Sequence, residues 1–160
     1  MSEKETYSLD EAQTEFAKKT NGEVWGYLEN ESRTAEEDAA MVNAAHASLY
    51  HWAKVGTAVN RQRGEWMLSR VYTVLGRAES AVHHARRCLD LTEANMDDMA
   101  VFDKGYAFEA MARSLALAGK KDEAKDYLGK AKAVADTIDD EEDKKWFVGD
   151  LEGGEWYGIG

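Results

Sequence analysis

Residues 64–91 read GEWMLSRVYTVLGRAESAVHHARRCLDL, and the fold follows from how this stretch turns at Gly76. Apolar side chains recur at helical spacing on both sides of that glycine, which is the natural residue for a left-handed helix end. The stretch therefore reads as two helices folded back on each other, at about residues 62–75 and 78–92. Working outward, the same order of large and small residues returns 43 positions later. Ser69 falls on Ala112, Tyr72 on Leu115, Gly76 on Gly119, Ala81 on Ala124, Cys88 on Ala131 and Leu91 on Val134. Small residues at Ser69/Ala112 and Ala81/Ala124 let helices approach closely. Large neighbours fill the space beside them, and glycine turns the corner.

The flanking sequence supplies more helices. Ser8 and Glu11 have capping-box spacing and open a first helix that runs to about Asn30, with Phe16, Val24, Trp25 and Leu28 in its apolar stripe. Asn21-Gly22 is a weak point in it. A second capping box at Thr34 and Glu37 opens a helix to about Val55. The signal fades between Glu93 and Phe102, where Asn95, Asp97 and Asp98 favour turns. A fifth helix ends at Gly119, a sixth covers about residues 121–137, and a seventh, about 140–151, offers Trp146, Phe147 and Leu151. The expected fold is all-α: a right-handed stack of antiparallel helix pairs, about seven helices in one domain over residues 1–152. Residues 153–160, GGEWYGIG, form a tail too rich in glycine for a helix.

The composition fits a globular chain. It has 160 residues, 44% hydrophobic and 32% charged, and no proline to break a helix. The net charge of −11 argues against general nucleic-acid binding. The charge is uneven, however. Six arginines and two glutamates between Arg61 and Arg87 give a local +4, leaving −15 for the rest. Cys88 is the single cysteine, so no intrachain disulfide can form. The N-terminal residues lack an apolar targeting core and no run has the length of a membrane span, so the expected location is cytoplasmic.

The repeated pattern resembles the tetratricopeptide repeat, TPR. Leu68, Ser69, Tyr72, Gly76, Ala81 and Cys88 match its small-large order and turn glycine, and Phe108, Ala112, Leu115, Gly119, Ala124 and Ala131 match again. The likeness covers roughly residues 20–137, with a degenerate earlier copy at Trp25, Gly26 and Ala45. It departs from that motif's usual spacing of about 34 residues by some nine extra near Thr92–Val101, and Glu93 stands where a proline is usual. The strings around His46, Tyr50-His51-Trp52 and Arg63–Trp66 are also similar to those of an uncharacterised bacterial TPR-like family.

The resemblance implies that the first helix of each repeat lines a concave groove. Arg63, Trp66, Arg70 and Thr73, then Tyr106, Glu109, Arg113 and Ala116, would project there. Three arginines and two aromatics suit a carboxylate or other anion. One glutamate cannot satisfy Arg63, Arg70 and Arg113 together, so about one cationic position should stay free. Alternatively Arg70 and Glu109 simply pair. The chaperone-tail carboxylate clamp of some TPR proteins is not expected, because its lysine and asparagine set is absent.

Other chemistry is weaker. His46 and His51 lie about 140° apart around a helix and cannot chelate together. His84 and Cys88 could, but Cys88 occupies a buried small position, so no metal or cofactor is expected. No nucleophile elbow, P-loop or zinc-protease motif occurs. The expectation is thus a non-enzymatic module holding a peptide segment or small anionic ligand at Arg63, Trp66, Arg70, Tyr106, Glu109 and Arg113. One rival is self-association as a homodimer through Trp146, Trp156 and Tyr157. Another is a ligand sensor or enzyme using His46, Tyr50, Glu65 and Arg70.

Overall fold

The computed structural model describes residues 3–160. Among the described residues there are seven α-helices and no strand: α1 Leu9–Glu29, α2 Ala35–Val55, α3 Ala58–Val74, α4 Ala78–Ala94, α5 Val101–Leu117, α6 Lys121–Ala135 and α7 Glu141–Glu152. The helices pack in succession, α1 on α2, α3 on α4 and α5 on α6, with α7 closing the row against α5 and α6. The result is a stack of antiparallel helix pairs.

Both expected capping boxes form. Glu11 N–H donates to Ser8 Oγ at 3.1 Å and Ser8 N–H to the Glu11 carboxylate at 3.1 Å, and Thr34 and Glu37 repeat the exchange at 3.1 and 3.3 Å. The Asn21-Gly22 pair does not break α1, which is continuous through it. The third helix begins at Ala58, four residues before the sequence signal at Gln62. There Thr57 N–H donates to Asn60 Oδ1 at 3.0 Å, a cap outside the serine, threonine and glutamate pattern used to find the others.

The 43-residue step is exact at the helix level. α3 spans 17 residues from Ala58 and α5 spans 17 from Val101, 43 positions on. Both end alike. Gly76 N–H bonds to Thr73 O and Arg77 N–H to Tyr72 O, at 3.0 and 2.9 Å; Gly119 and Lys120 do the same to Ala116 and Leu115, at 3.0 and 2.9 Å. With φ of 72° at Gly76 and 81° at Gly119, these are paired Schellman ends that a side chain would strain. The extra residues before α5 go into the length of α4 and a short 3-10 turn, Met96–Asp98.

The first helix pair turns differently. At the position 43 before Gly76 stands Arg33, whose Nη1 donates to Tyr27 O at 3.2 Å and Asn30 O at 2.8 Å. Its Nε is paired to Asp38 Oδ1 at 2.7 Å. A guanidinium caps the carbonyls of the first helix where glycine geometry serves the later two.

Packing follows the small positions. Ala81, Ala124, Cys88 and Ala131 are wholly buried, and Ser69 Oγ donates to Ala81 O at 2.9 Å across the α3–α4 contact. At the far end Phe147 of α7 is wholly buried, its ring against the bare backbone of Gly105. The apolar stripe expected for α1 is only half right. Val24 is buried, but Phe16 is 53% and Trp25 44% exposed, because α1 is an end helix with a neighbour on one side only. No helix among the described residues is long and apolar enough to cross a membrane.

Candidate functional site

The odd-numbered helices share one face of the stack. Between α1, α3, α5 and the end of α7 lies a cleft of about 330 Å³. Its walls are aromatic. The Trp25 and Trp66 ring centroids are 6.1 Å apart, and Tyr106 meets Trp66 edge-on at 5.5 Å. Phe102 adjoins Tyr106 edge-on at 6.4 Å. This spacing arises because neighbouring first helices present the same face one repeat apart.

The charged residues placed here by the sequence meet different fates. Arg63 forks onto Asp103, Nε to Oδ1 at 2.9 Å and Nη2 to Oδ2 at 3.2 Å, with its guanidinium carbon 5.4 Å from the centre of the Phe102 ring. Asp103 itself is buried and also accepts the Ala100 N–H that opens α5, at 2.9 Å. Trp66 Nε1 donates to Glu109 Oε2 at 2.9 Å, 43 residues away and therefore exactly one repeat on. The other oxygen of Glu109 takes Arg113 Nε at 2.8 Å.

Arg113 is the residue that departs furthest from expectation. It is 3% exposed, as is Glu109, and the tail wraps it. Nη1 donates to Gly153 O at 3.0 Å and Glu155 O at 3.1 Å, and Nη2 to Asp150 O at 2.9 Å. The Trp156 ring lies over the guanidinium at 3.9 Å. A side chain at Gly154 would sit 2.7 Å from Arg113 Nη1, and its φ of 74° also favours glycine. The glycines that keep the tail from being a helix are what let its backbone reach the arginine.

One groove arginine is left over, as expected, although Asp103 supplies an anion that the expected groove positions did not include. Asp103 neutralises Arg63, Glu109 neutralises Arg113, and three carbonyls complete Arg113. The Arg70 side chain makes no hydrogen bond or ion pair among the described residues, so the alternative pairing of Arg70 with Glu109 does not form. The Tyr106 hydroxyl donates to Asp150. Burial first, and then this carboxylate, hold the Tyr106 phenol well above its ordinary range.

Of the six expected site residues, Arg63, Trp66 and Tyr106 line the cleft. Arg70, Glu109 and Arg113 lie together beside it, under the tail. The cleft residues missed in sequence include Trp25, Phe102, Asp103 and Asp150. Trp25 was not readable as a cleft residue, because the 43-residue step sets it on Leu68, a core position. Thr73 and Ala116, also expected in the groove, are buried.

The aromatics assigned to subunit contact divide as well. Tyr157 donates to Thr73 O at 3.4 Å and Trp156 Nε1 to Leu151 O at 2.9 Å, so both pack on their own chain, while Trp146 is 68% exposed. Burial holds the Cys88 thiol far above its ordinary range. Among the described residues, no three histidines, cysteines or acids converge as a metal site would require. Comparison with known proteins finds no matching family model, no matching curated protein and no matching solved structure.

Proposed function

We propose that this protein is a non-catalytic, TPR-like binding module whose cleft between α1, α3 and α5 takes a peptide segment. The observation that carries the reading is the aromatic lining of the 330 Å³ cleft. Its volume falls in the usual range for a ligand pocket, and aromatic walls with a few polar groups are the usual lining. Trp25 in particular is a large apolar side chain left 44% exposed at the wall of the cleft. A peptide is favoured over a small anion because two of the three groove arginines are neutralised within the chain. What remains is apolar wall, with the Arg63 and Asp150 side chains at its edge to bond a main chain.

Selection of displayed random peptides on the immobilised protein tests this. The selected peptides should lose about tenfold or more in affinity with Trp25→Ala, a loss of the size expected for an aromatic anchor. Tyr50→Ala, on the other side of the stack, should leave them unaffected. Peptides indifferent to Trp25→Ala would move the site elsewhere, and failure to select any would remove the peptide reading.

A further inference from the structure

The helix α3 is the floor of a second depression, facing the even-numbered helices. We propose that this hollow, between α2, α3 and α4, is a binding site for a small phosphate monoester carrying an apolar body. It is independent of the peptide cleft, which opens on the other side of the same helix.

The hollow measures about 480 Å³. Its charged edge is built from two helices, with Arg61 coming from α3 and Arg87 from α4. The Arg61 side chain makes no hydrogen bond or ion pair among the described residues. Arg87 is held by its inner nitrogen only: Nε donates to Glu65 Oε1 at 2.8 Å. That leaves the outer two nitrogens of a 57% exposed guanidinium side chain to be met from outside.

Glu65 makes this a constructed feature rather than a scatter of surface arginines. It is 2% exposed, and its second oxygen takes His84 Nδ1 at 2.7 Å. A carboxylate this deep is costly unless both oxygens are bonded. Here the bonds also fix Arg87 in place. Burial pushes the Glu65 carboxyl up, but the hydrogen bonds from His84 and Arg87 together outweigh it and hold the group below the usual carboxylate range, so it stays ionised beneath the arginine rather than competing as a donor.

The remaining wall comes from α2. His46 stands at the rim with Nε2 at 2.8 Å from the Tyr72 hydroxyl, and its ring meets the His84 ring edge-on at 5.7 Å. Tyr50, one turn on, offers an exposed ring with Lys54 Nζ 5.1 Å from its centre. Leu49 and Leu91 make the inner surface apolar. Arg61, Arg87 and Lys54 against Glu65 leave the hollow cationic, although Asp90 on α4 also acts on Arg87. A phosphate, with three terminal oxygens, can be shared by guanidiniums from two helices; a carboxylate has only two oxygens to offer. The leucines and Tyr50 would cover the body of the ester.

The sequence placed His46, Tyr50, Glu65 and Arg70 in one site. The fold gathers the first three at this hollow and sends Arg70 to the opposite face of α3.

Titration calorimetry with phenyl phosphate tests the proposal. Saturable binding is expected, at least about tenfold tighter than for inorganic phosphate or for phenol, since each supplies half of the contacts. Benzoate should bind more weakly than phenyl phosphate. Arg61→Ala and Arg87→Ala should each weaken phenyl phosphate about tenfold, whereas Trp25→Ala should leave it unchanged. Arg61→Ala breaks no hydrogen bond, so it remains decisive if loss of Arg87 disturbs Glu65. Absence of saturation below about 10 mM, or affinity unmoved by Arg61→Ala, would overturn the site. Benzoate binding as tightly as phenyl phosphate would overturn the phosphate assignment. Loss of peptide binding in the cleft would leave these outcomes untouched.

Discussion

Arg70 and Arg113 occupy the same position of successive repeats, 43 residues apart on α3 and α5. In the second helix pair the Arg70 side chain is half-buried and makes no hydrogen bond among the described residues. In the third, Arg113 is buried, paired to Glu109 and wrapped by three carbonyls, one from the last turn of α7 and two from the tail beyond it. Equivalent register therefore fixes where a side chain starts and not what it meets. The partner at −4 decides it: Glu109 precedes Arg113, but Trp66 precedes Arg70. The one carboxylate is shared across the repeat boundary, taking the Trp66 indole from one pair and the arginine from the other.

The strongest way to break this comparison is to remove each arginine. Arg113→Ala would leave Glu109 buried without its cation and should cost about 3–5 kcal/mol. Arg70→Ala should cost less than about 1 kcal/mol. Urea melts of both variants check this, and equal losses would mean that the tail contributes little to holding Arg113.

The small positions should behave alike where the arginines differ. Ala81→Leu and Ala124→Leu each add bulk at a wholly buried contact and should cost about 1–3 kcal/mol. Leucine at the exposed neighbours Glu79 and Lys125 should change stability by no more than about 0.5 kcal/mol. A urea series in which all four substitutions cost the same would show that the two pairs do not share a packing register.

The smallest effect sharpens the contrast through pH. Burial, and next the neighbouring His84, hold His46 below its ordinary range, with Glu65 acting in the opposite sense. As pH falls below about 6.5, the unfolded chain takes up this proton before the folded one does, and stability declines. His46→Gln should therefore flatten the fall in melting temperature between about pH 7 and pH 5. The third pair carries no histidine and should contribute nothing to that slope: Tyr72 and His84 are replaced there by Leu115 and Tyr127. An unchanged slope in His46→Gln would assign the titration to another group.

The repeat was legible because it rests on local, recurring demands. A left-handed glycine and a small residue at a close contact leave the same trace each time they occur, and the two glycine turns lie where that trace put them. The site was only partly legible. Trp66 and Tyr106 follow from register, whereas Asp103 lies at the weakly patterned entry to α5 and finds Arg63 only in three dimensions. Glu109 four residues before Arg113 was a readable partner, but the wrapping of Arg113 had no sequence signal, because those partners are backbone carbonyls, which every residue carries. The glycine content that excluded a helix for residues 153–160 says nothing about where an extended segment comes to rest.

The wrapped arginine also has a place in time. Synthesis runs from the N-terminus, and domains begin to fold as their residues become available. Each of the first two helix pairs packs chiefly between its own two neighbouring helices, so each can form soon after it is made. Arg113 cannot: its carbonyl partners lie 37, 40 and 42 residues further on. Until those residues appear, the guanidinium keeps its bond to Glu109 and shares its other protons with water. The third pair is then the last to dry out, and the tail is the step that completes it.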